Sequence, residues 1–310
     1  MARITVFGEP LLELASTASG SVLGAAQLGI AGDTLNTSVY LARLGHEVSY
    51  VTALGEDTYS QAIVERLNGE GVSTDRIVRH PTRVPGLYAI RTDEAGERFF
   101  TYWRDQSAAR DFFALAQAPA AIGSAWESDL FYFSGISLAI LQPQQRNQLL
   151  EVARACRRRG VEVAFDGNYR PYGWQSTDQA RGCLTEVGQT ASIVLPTSED
   201  DDQLFGPSTP VEHAHRWRSF GAGLVVVKNG PNGAYVVREG VVDPTHVAVE
   251  QVIQPVDTTG AGDSFNAAFL AATLGGRSPT EAAAMGNRLA ARVIQHRGAL
   301  IPPSEMPSLA

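Results

Sequence analysis

Lysine is almost absent from this sequence of 310 residues: lysine and arginine together number 25, and Lys228 is the single lysine. A Walker A phosphate-binding loop needs a lysine between a glycine and a serine or threonine. Lys228 follows Val227, so the sequence has no loop of that type. No Gly-x-Gly-x-x-Gly pattern follows a strand-like segment, and no His-Glu-x-x-His pattern occurs. These absences exclude a P-loop and this zinc motif, and they disfavour a Rossmann dinucleotide site.

Cysteine and net positive charge are also scarce. Cys156 and Cys183 are the two cysteines, which excludes a disulfide framework and a multi-cysteine metal site and is typical of a reducing compartment. The 33 acidic residues outnumber the 25 basic ones, for a net charge of −8. The nearest thing to a basic run, residues 157–159, precedes Gly160 and is typical of a helix end. We therefore expect no nucleic-acid partner.

Long apolar runs are missing as well. No stretch approaches the roughly 18 uninterrupted apolar residues of a membrane span, so we expect no membrane partner. The first residues, MARITVFGEPLLEL, lack the pattern of a secretory signal, and we interpret their apolar run as a short strand. These features predict a cytoplasmic protein. Apolar residues make up 44% of the chain and charged residues 19%, which is enough for a sizeable core.

Short β-branched segments alternate with helical ones along most of the chain. Residues 3–8 and 48–54 have the pattern of buried parallel strands, and residues 33–44 between them have helical spacing. Further strands are predicted at 129–134, 161–166, 192–195 and 224–228, and further helices at 59–68, 143–159, 176–189, 199–205 and 210–220. The Ala-rich region 263–296 reads as two helices broken at Gly275 and Gly276. This alternation predicts an α/β fold with a mostly parallel sheet.

Residues 80–105 follow a different pattern, that of two strands around a turn at 93–96, which predicts a β-hairpin. Residues 11–29 are expected to add strands to it. A late antiparallel pair is predicted at 234–238 and 246–249. We interpret the chain as one domain, 1–310, with a small β-sheet inserted in its N-terminal half.

Residues 257–263, D-T-T-G-A-G-D, join the last strand region to the Ala-rich helix. Gly260 and Gly262 allow a sharp bend and a close approach to a ligand. The amides of Gly260, Ala261, Gly262 and Asp263 would then form an anion site at a helix N-terminus. A carboxylate beside such a site repels phosphate, so its presence there indicates a catalytic use. Taking a proton from an attacking hydroxyl would be such a use, which predicts a general base at Asp263. The alternative is that Asp263 only caps the helix.

Two signatures together resemble the PfkB, or ribokinase-like, carbohydrate kinases. The first is A-G-D-T-L-N at 31–36, whose helix ends at Leu44 and Gly45 and is followed by L-G-E-D at 54–57; the second is residues 257–263. Both are in the right order and at the right separation, so the resemblance covers essentially the whole chain. The segments GDTLNTSVYLARLG, VTALGED, VPGLY, GERFFTYWR, SGISLAIL, FDGNYRP and VIQHRGA are similar to members that phosphorylate 2-keto-3-deoxygluconate.

The resemblance implies a ribokinase-like three-layer sandwich: a central, mostly parallel sheet between helices, with a small β-sheet lid from about 11–29 and 80–105. It implies ATP and Mg²⁺ as cofactors and phosphorylation of the C6 hydroxyl of a sugar acid. Such lids often form a dimer contact, which would make the chain a homo-oligomer. Two alternatives stay open: another sugar kinase of the family, of the fructokinase type, and an inactive sugar-binding regulator.

The resemblance also assigns roles by position. Asp263 matches the catalytic base, with Gly260, Ala261 and Gly262 as its anion hole. The residues that match substrate contacts are Gly32, Asp33, Asn36, Tyr88, Tyr102, Arg104 and Arg170. Those that match nucleotide contacts are Asn168, Lys228, Gly230, Gly233, Gly260, Gly262 and Asn287. The family's Asn-x-x-Glu appears here as T-S-E-D at 197–200, so Asp200 would act on Mg²⁺ through water.

Each of these residues also has a purely structural interpretation. Tyr88 and Tyr102 could be ordinary strand residues, and Arg170 could lie on a surface loop. Arg104 could stack on the ring of Trp103. Lys228 could be the solvated end of its strand. The acidic run at 200–202 could be a solvated helix start.

Overall fold

The computed structural model of the chain describes residues 1–16, 24–92 and 98–308. The strands, in chain order, are β1 (Arg3–Phe7), β2 (Leu11–Ser16), β3 (Ala26–Ala31), β4 (Glu47–Leu54), β5 (Val72–Ser73), β6 (Ile77–Arg79), β7 (Gly86–Thr92), β8 (Arg98–Trp103), β9 (Leu130–Ser134), β10 (Glu162–Asp166), β11 (Ile193–Val194), β12 (Leu224–Lys228), β13 (Ala234–Arg238) and β14 (Thr245–Val247). The α-helices are α1 (Asp33–Arg43), α2 (Thr58–Gly69), α3 (Ala118–Ile122), α4 (Gly135–Ala139), α5 (Pro143–Arg158), α6 (Thr177–Thr190), α7 (Ser198–Phe205), α8 (Pro210–Phe220), α9 (Ala261–Leu274) and α10 (Pro279–Val293).

A large sheet runs through the middle of the described residues. Its strands lie in the order β14-β13-β12-β11-β10-β9-β1-β4-β5, and β6 pairs with a second stretch of β4. Every pair from β12 to β5 is parallel, whereas β13 and β14 are antiparallel. The mostly parallel sheet and the late antiparallel pair are therefore confirmed.

Both faces of this sheet are covered by helices. In β9, Phe131 and Phe133 pack into an apolar cluster with α5, α6 and α8, whereas Tyr132 packs into a second cluster with α1, α2, α9 and α10. Successive strand residues point to opposite faces. A strand covered on both faces therefore reads as one continuous apolar run, which is the pattern seen in the sequence. The result is the predicted three-layer arrangement.

A second, smaller sheet has the strand order β3-β2-β7-β8. β2 is antiparallel to β3 and parallel to β7, and β7 is antiparallel to β8. Both segments from which the small sheet was predicted thus contribute strands to it. The predicted turn at 93–96 and residues 17–23 of the first segment lie outside the described residues.

Most predicted helix boundaries agree with the structure to within two residues, including the start of α9, which is at Ala261 rather than at Asp263. Gly260 is the N-cap residue, so the interpretation of Asp263 as a helix cap is wrong. Four elements were not predicted, because they have two to five residues each and are too short to show a period: β5, β6, α3 and α4. Among the described residues, no helix has the length and apolarity that crossing a membrane requires.

Candidate active site

A cavity of about 1090 Å³ lies between the small sheet and the carboxyl ends of the parallel strands. This edge of an open α/β sheet is where ligands usually bind. Asp166 ends β10 and Lys228 ends β12, and both line the cavity, while Tyr88 and Tyr102 reach it from the small sheet. All of the site residues named from the sequence line this one cavity. The structure therefore brings them together.

The first turn of α9 forms one wall. Gly260 has a left-handed backbone with φ 75°, and a Cβ there would lie 2.7 Å from the side chain of Ala299, so only glycine fits. The first amides of a helix lack helical partners and can bind an anion. One of the four predicted amides is already engaged, because the Ala261 amide donates to the Thr258 carbonyl over 3.2 Å.

Asp263 lies in this first turn and faces α1. The Asn36 side chain donates from Nδ2 to Oδ2 of Asp263 over 2.8 Å. Burial, the nearby carboxylate of Asp33 and that of Asp166 raise the pKa of Asp263 to about 8, whereas Asn36 and Lys228 oppose the rise. A carboxyl group with a pKa near neutrality is suited to exchanging a proton with a substrate.

Asp33, at the start of α1, is the second carboxyl group of this region. Burial raises the pKa of Asp33, and Nδ2 of Asn168 donates to its Oδ2 over 2.8 Å. Asn168, which the sequence assigned to the nucleotide, therefore contacts a residue assigned to the sugar. Its φ of 30° is unusual for a residue other than glycine, and asparagine tolerates it better than most residues.

Arg104 follows β8 and is buried beside Glu9. Its Nε donates to Oε2 of Glu9 over 3.0 Å, and its Nη2 donates to the same oxygen. The guanidinium carbon lies 6.0 Å from the centre of the ring of Tyr102, which also lines the cavity, so the interpretation of Arg104 as stacked on Trp103 is not supported. Arg104 is thus placed at the cavity with its charge already balanced by a carboxylate.

Arg170 is paired as well. Its Nη1 donates to Oδ1 of Asp200 over 2.8 Å and to the Tyr169 carbonyl over 2.6 Å. Burial raises the pKa of Asp200, and Arg170 opposes the rise. Asp200 is therefore not a freely solvated residue of a helix start, and one of its oxygens already accepts from a cation.

Tyr172 is a cavity residue that sequence analysis missed. Its ring stacks on Tyr102 with centroids 4.5 Å apart, so it links the small sheet to the loop after Arg170. Burial raises the pKa of Tyr172, and the charges of Arg104 and Arg170 oppose the rise. The segment around Tyr172 is short and contains a proline, so it has no periodicity that could have revealed which of its aromatic residues faces a site.

Asp166 was missed too, although it carried a signal. It is an acidic residue at the end of an otherwise apolar strand, the position where ligand-binding groups of parallel sheets accumulate. Its Oδ1 accepts from Nζ of Lys228 over 2.9 Å, and its Oδ2 accepts from Asn266 over 2.9 Å. Lys228 is therefore buried and ion-paired, and its interpretation as a solvated strand end is wrong.

Comparison with known proteins gives the family. A family model described as pfkB family carbohydrate kinase matches residues 1–306. The chain belongs to this family. It is 40% identical over 312 residues to the 2-dehydro-3-deoxygluconokinase of Escherichia coli (strain K12) and 41% identical over 316 residues to that of Dickeya dadantii, with 99% of each chain covered in both cases. The crystal structure of a PfkB protein from Polaromonas is similar, with a TM-score of 0.83 at 27% identity, covering 95% of this chain and 96% of that chain.

As a pfkB kinase the chain uses ATP, and the cavity offers features that fit a nucleotide. Gly230 and Gly233 flank a short loop after β12, and a Cβ on Gly233 would lie 2.2 Å from the Val247 carbonyl oxygen. Asn287 of α10 donates from Nδ2 to the same carbonyl over 3.1 Å. Apolar side chains line this part of the cavity: Val249, Val252, Ile253, Ala291 and Ile294. An apolar slot that leads to a helix N-terminus suits a base and its phosphates.

The cavity of this pfkB kinase offers fewer protein groups for Mg²⁺ than for the nucleotide. The described residues contain no group of three or more His, Cys, Asp and Glu residues that could hold a metal ion. Mg²⁺ at kinase sites does not need one, because phosphate oxygens and water supply most of its ligands. Asp200 lines the cavity and keeps one carboxylate oxygen outside its bond to Arg170. Contact with Mg²⁺ through water is compatible with this placement.

Proposed function

We propose that this kinase transfers the γ-phosphoryl group of ATP to the C6 hydroxyl of 2-keto-3-deoxygluconate and forms 2-keto-3-deoxy-6-phosphogluconate. The observation that carries the proposal is the position of Asp263, a carboxyl group of raised pKa at a helix N-terminus, in a cavity that also contains two arginines. The names of relatives that are 40% and 41% identical support the choice of substrate.

In this proposal Asp263 acts as the general base and takes the proton of the attacking hydroxyl. Gly260, Ala261 and Gly262 shape the anion hole, and the amides of Gly262 and Asp263 stabilise negative charge on the transferred group. When bound, Mg²⁺ supplies positive charge that offsets the charge of the phosphates. Because phosphoryl transfer depends mainly on positioning and charge stabilisation, the protein needs no covalent intermediate.

In this proposal the sugar acid is recognised by residues of α1, of the small sheet and of the loop after β10. Gly32, Asp33 and Asn36 bind sugar hydroxyls, and Tyr88 and Tyr102 contact the keto-acid end. Arg104 and Arg170 bind the carboxylate with guanidinium hydrogens outside their present ion pairs. The ion pair of Arg104 uses Nε and Nη2, and that of Arg170 uses Nη1, which supports this division of donors.

Asn168, Lys228, Gly230, Gly233, Gly260, Gly262 and Asn287 contact the nucleotide in this proposal, and Asp200 contacts Mg²⁺ through water. We also propose a homo-oligomer contact on the outer face of the small sheet. Trp103 of β8 is 59% exposed and is not among the residues that line the cavity. Sedimentation of the wild-type chain and of Trp103→Ser tests this contact: a wild-type chain that sediments as a monomer would exclude it.

A kinase for a neutral sugar is the second candidate, and one observation favours it. Glu9 balances the charge of Arg104, and Asp200 balances that of Arg170. Arginines that are already paired attract a further carboxylate less strongly than unpaired ones, because the negative charge of each partner reduces the positive potential at the site.

The experiment that separates the candidates is a measurement of ADP release with 2-keto-3-deoxygluconate, fructose and ribose. The Asp263→Asn variant gives the background rate of ADP release. We expect the highest kcat/KM for the sugar acid, and a product whose phosphate is coupled to C6 in NMR spectra. A preference for fructose or ribose would replace the proposal with the second candidate. Turnover of none of the three sugars, by a chain that still binds ATP, would favour the inactive regulator.

A further inference from the structure

The only lysine of the chain is 7% exposed at the end of β12. Its Nζ donates to Oδ1 of Asp166 over 2.9 Å and to Oδ1 of Asn266 over 3.1 Å. Asn266 also donates to Oδ2 of Asp166 over 2.9 Å, so the three side chains form a closed triangle. An ammonium group has three hydrogens, and this triangle uses two of them.

The ammonium of this triangle lies beside the first turn of α9. A Cβ on Gly262 would stand 3.5 Å from Nζ of Lys228, so the ammonium is close to the wall that forms the proposed anion hole. Lys228 and Asp263 line the same cavity, and the charge of Lys228 lowers the pKa of Asp263. The ammonium is therefore close enough to act on whatever is bound between these residues.

A structural role alone gives a poor account of this arrangement. Asp166 ends β10 and Lys228 ends β12, so the ion pair joins two strands across β11. Taking both charges out of water costs several kcal/mol per ion, and an apolar pair would join the strands at less cost. Every other basic side chain except histidine is arginine, whose flat, five-donor head cannot replace a compact ammonium in a triangle of this size. The localised charge of the Lys228 ammonium at this point therefore indicates a role in the reaction.

We propose that Lys228 is a catalytic residue whose third ammonium hydrogen contacts the transferred phosphoryl group, and that Asp166 and Asn266 are positioning residues for it. This inference rests on the proposed phosphoryl transfer but not on the identity of the sugar. In the step, the hydroxyl O–H bond breaks and its proton goes to Asp263. The oxygen–phosphorus bond forms while the bond to the bridging oxygen breaks and leaves its electron pair on ADP. Lys228 keeps its proton throughout and offsets charge on the phosphoryl oxygens.

A double-mutant cycle separates this role from that of an ion-pair partner. The variants are Lys228→Met, Asp166→Asn and the combination of both, and the control is Arg238→Met, which removes an exposed charge from the neighbouring strand. Lys228→Met alone leaves a buried carboxylate unpaired and is expected to lose stability. The double variant removes both charges and is expected to recover the melting temperature. We expect its kcat to stay about 10²- to 10³-fold below that of Asp166→Asn, the usual loss for one group that stabilises a developing charge.

If Lys228 served only to neutralise Asp166, the double variant would turn over as fast as Asp166→Asn, and the proposal would be wrong. Lys228→Arg gives a further check, because an arginine restores the charge but not the geometry. We expect it to recover stability more than kcat. Equal recovery of both would also count against the proposal.

The single lysine allows a test that needs no turnover and no sugar. A chain labelled with ¹⁵Nζ-lysine gives one side-chain NMR signal. We expect an ATP analogue with a non-hydrolysable β–γ bridge, with Mg²⁺, to shift that signal, ADP to shift it less and AMP to leave it in place. Equal shifts with the analogue and with AMP, or no shift at saturation, would overturn the proposal. A wrong sugar assignment leaves this result unchanged and shows itself only in the ADP-release assay.

Discussion

Nδ2 of Asn36 donates a hydrogen bond to Oδ2 of Asp263 over 2.8 Å, and this bond joins the start of α1 to the start of α9. The two helices carry the two sequence signatures of the family, so the bond connects the N-terminal motif to the C-terminal one. The amide oxygen of the same side chain, Oδ1 of Asn36, is buried without a partner among the described residues. Because buried polar atoms are rarely left unpaired, this oxygen is a natural acceptor for a substrate hydroxyl.

The first prediction concerns the base itself. Asp263→Asn keeps the size of the side chain but cannot take a proton. We expect kcat to fall by roughly 10²- to 10⁴-fold, the usual contribution of a general base, with the KM values little changed. Steady-state kinetics with the sugar acid measure both. Turnover within a few-fold of wild type would end the role of Asp263 as base.

The second prediction is a pH dependence. The base must be ionised to act, and the pKa of Asp263 is raised to about 8, so kcat/KM is expected to rise with pH and level off above that value. The Asn36 bond favours the ionised form, so Asn36→Leu should move the rise to higher pH. The comparison uses the position of the curve rather than its height, because Asn36 is also proposed to touch the sugar. An unshifted curve in Asn36→Leu would contradict this prediction.

The order of strands and helices, and the bend before α9, could be predicted from the sequence because they depend on local patterns. Residues 257–263 contain their own bend and helix start, and the buried strands reveal themselves by uninterrupted apolar runs. The ion pairs could not be predicted. Arg104 meets Glu9 across 95 positions of sequence, and Lys228 meets Asp166 across 62, and no local pattern records such partners.

The third prediction compares the two glycines of the anion hole. Gly260 combines φ 75° with a close approach to Ala299, so Gly260→Ala is expected to be strained and to lose both stability and activity. Gly262 is helical, and the nearest atom to an added Cβ is Nζ of Lys228 at 3.5 Å, an ordinary contact. Gly262→Ala should therefore fold normally, and Gly262→Val should fold but lose turnover, because its branches crowd the phosphate site.

Melting temperatures and ADP release of the three glycine variants check this order. Gly262→Ala serves as the control for Gly260→Ala, since both add one methyl group to the same turn. A Gly260→Ala chain as stable as wild type would show that the turn can relax. A fully active Gly262→Val chain would place the phosphates elsewhere.

The fourth prediction concerns the contact between Tyr102 and Tyr172, which holds the small sheet against the loop after Arg170. A stacked pair contributes about 0.5–1.5 kcal/mol beyond its buried area. Tyr172→Ala is expected to raise the KM for the sugar by up to about tenfold, whereas Tyr172→Phe keeps the ring and should stay near wild type. The KM for ATP should not change in either variant. An unchanged sugar KM in Tyr172→Ala would show that the contact does not help to close the site.

The last prediction tests whether Arg104 and Arg170, each already paired with a carboxylate, determine the preference for a sugar acid. Arg104 and Arg170 line the same cavity, and each keeps donors outside its ion pair. A guanidinium fork binds both oxygens of a carboxylate, whereas a neutral sugar gives it nothing comparable. Truncation of either arginine should cost on the order of 2–4 kcal/mol in kcat/KM for the sugar acid, because the carboxylate then loses a charged partner in a desolvated site.

Arg104→Ala also leaves Glu9 buried without its charged partner, with the Ser107 hydroxyl as a remaining donor, so the effect of this variant on stability must be separated from its effect on binding. The Glu9→Gln variant does this, because it removes the balancing charge and leaves Arg104 in place. If Arg104 binds the carboxylate, Glu9→Gln should lower the KM for 2-keto-3-deoxygluconate, since the guanidinium then has its full charge available, and should leave the KM for fructose unchanged.

Arg181→Ala, a change on the exposed face of α6, serves as the control for loss of an arginine. A wild-type preference for fructose, or normal kcat/KM for the acid in both arginine variants, would reject the sugar-acid assignment. Lysine at either position should restore only part of the activity, because a point charge cannot reproduce the fork.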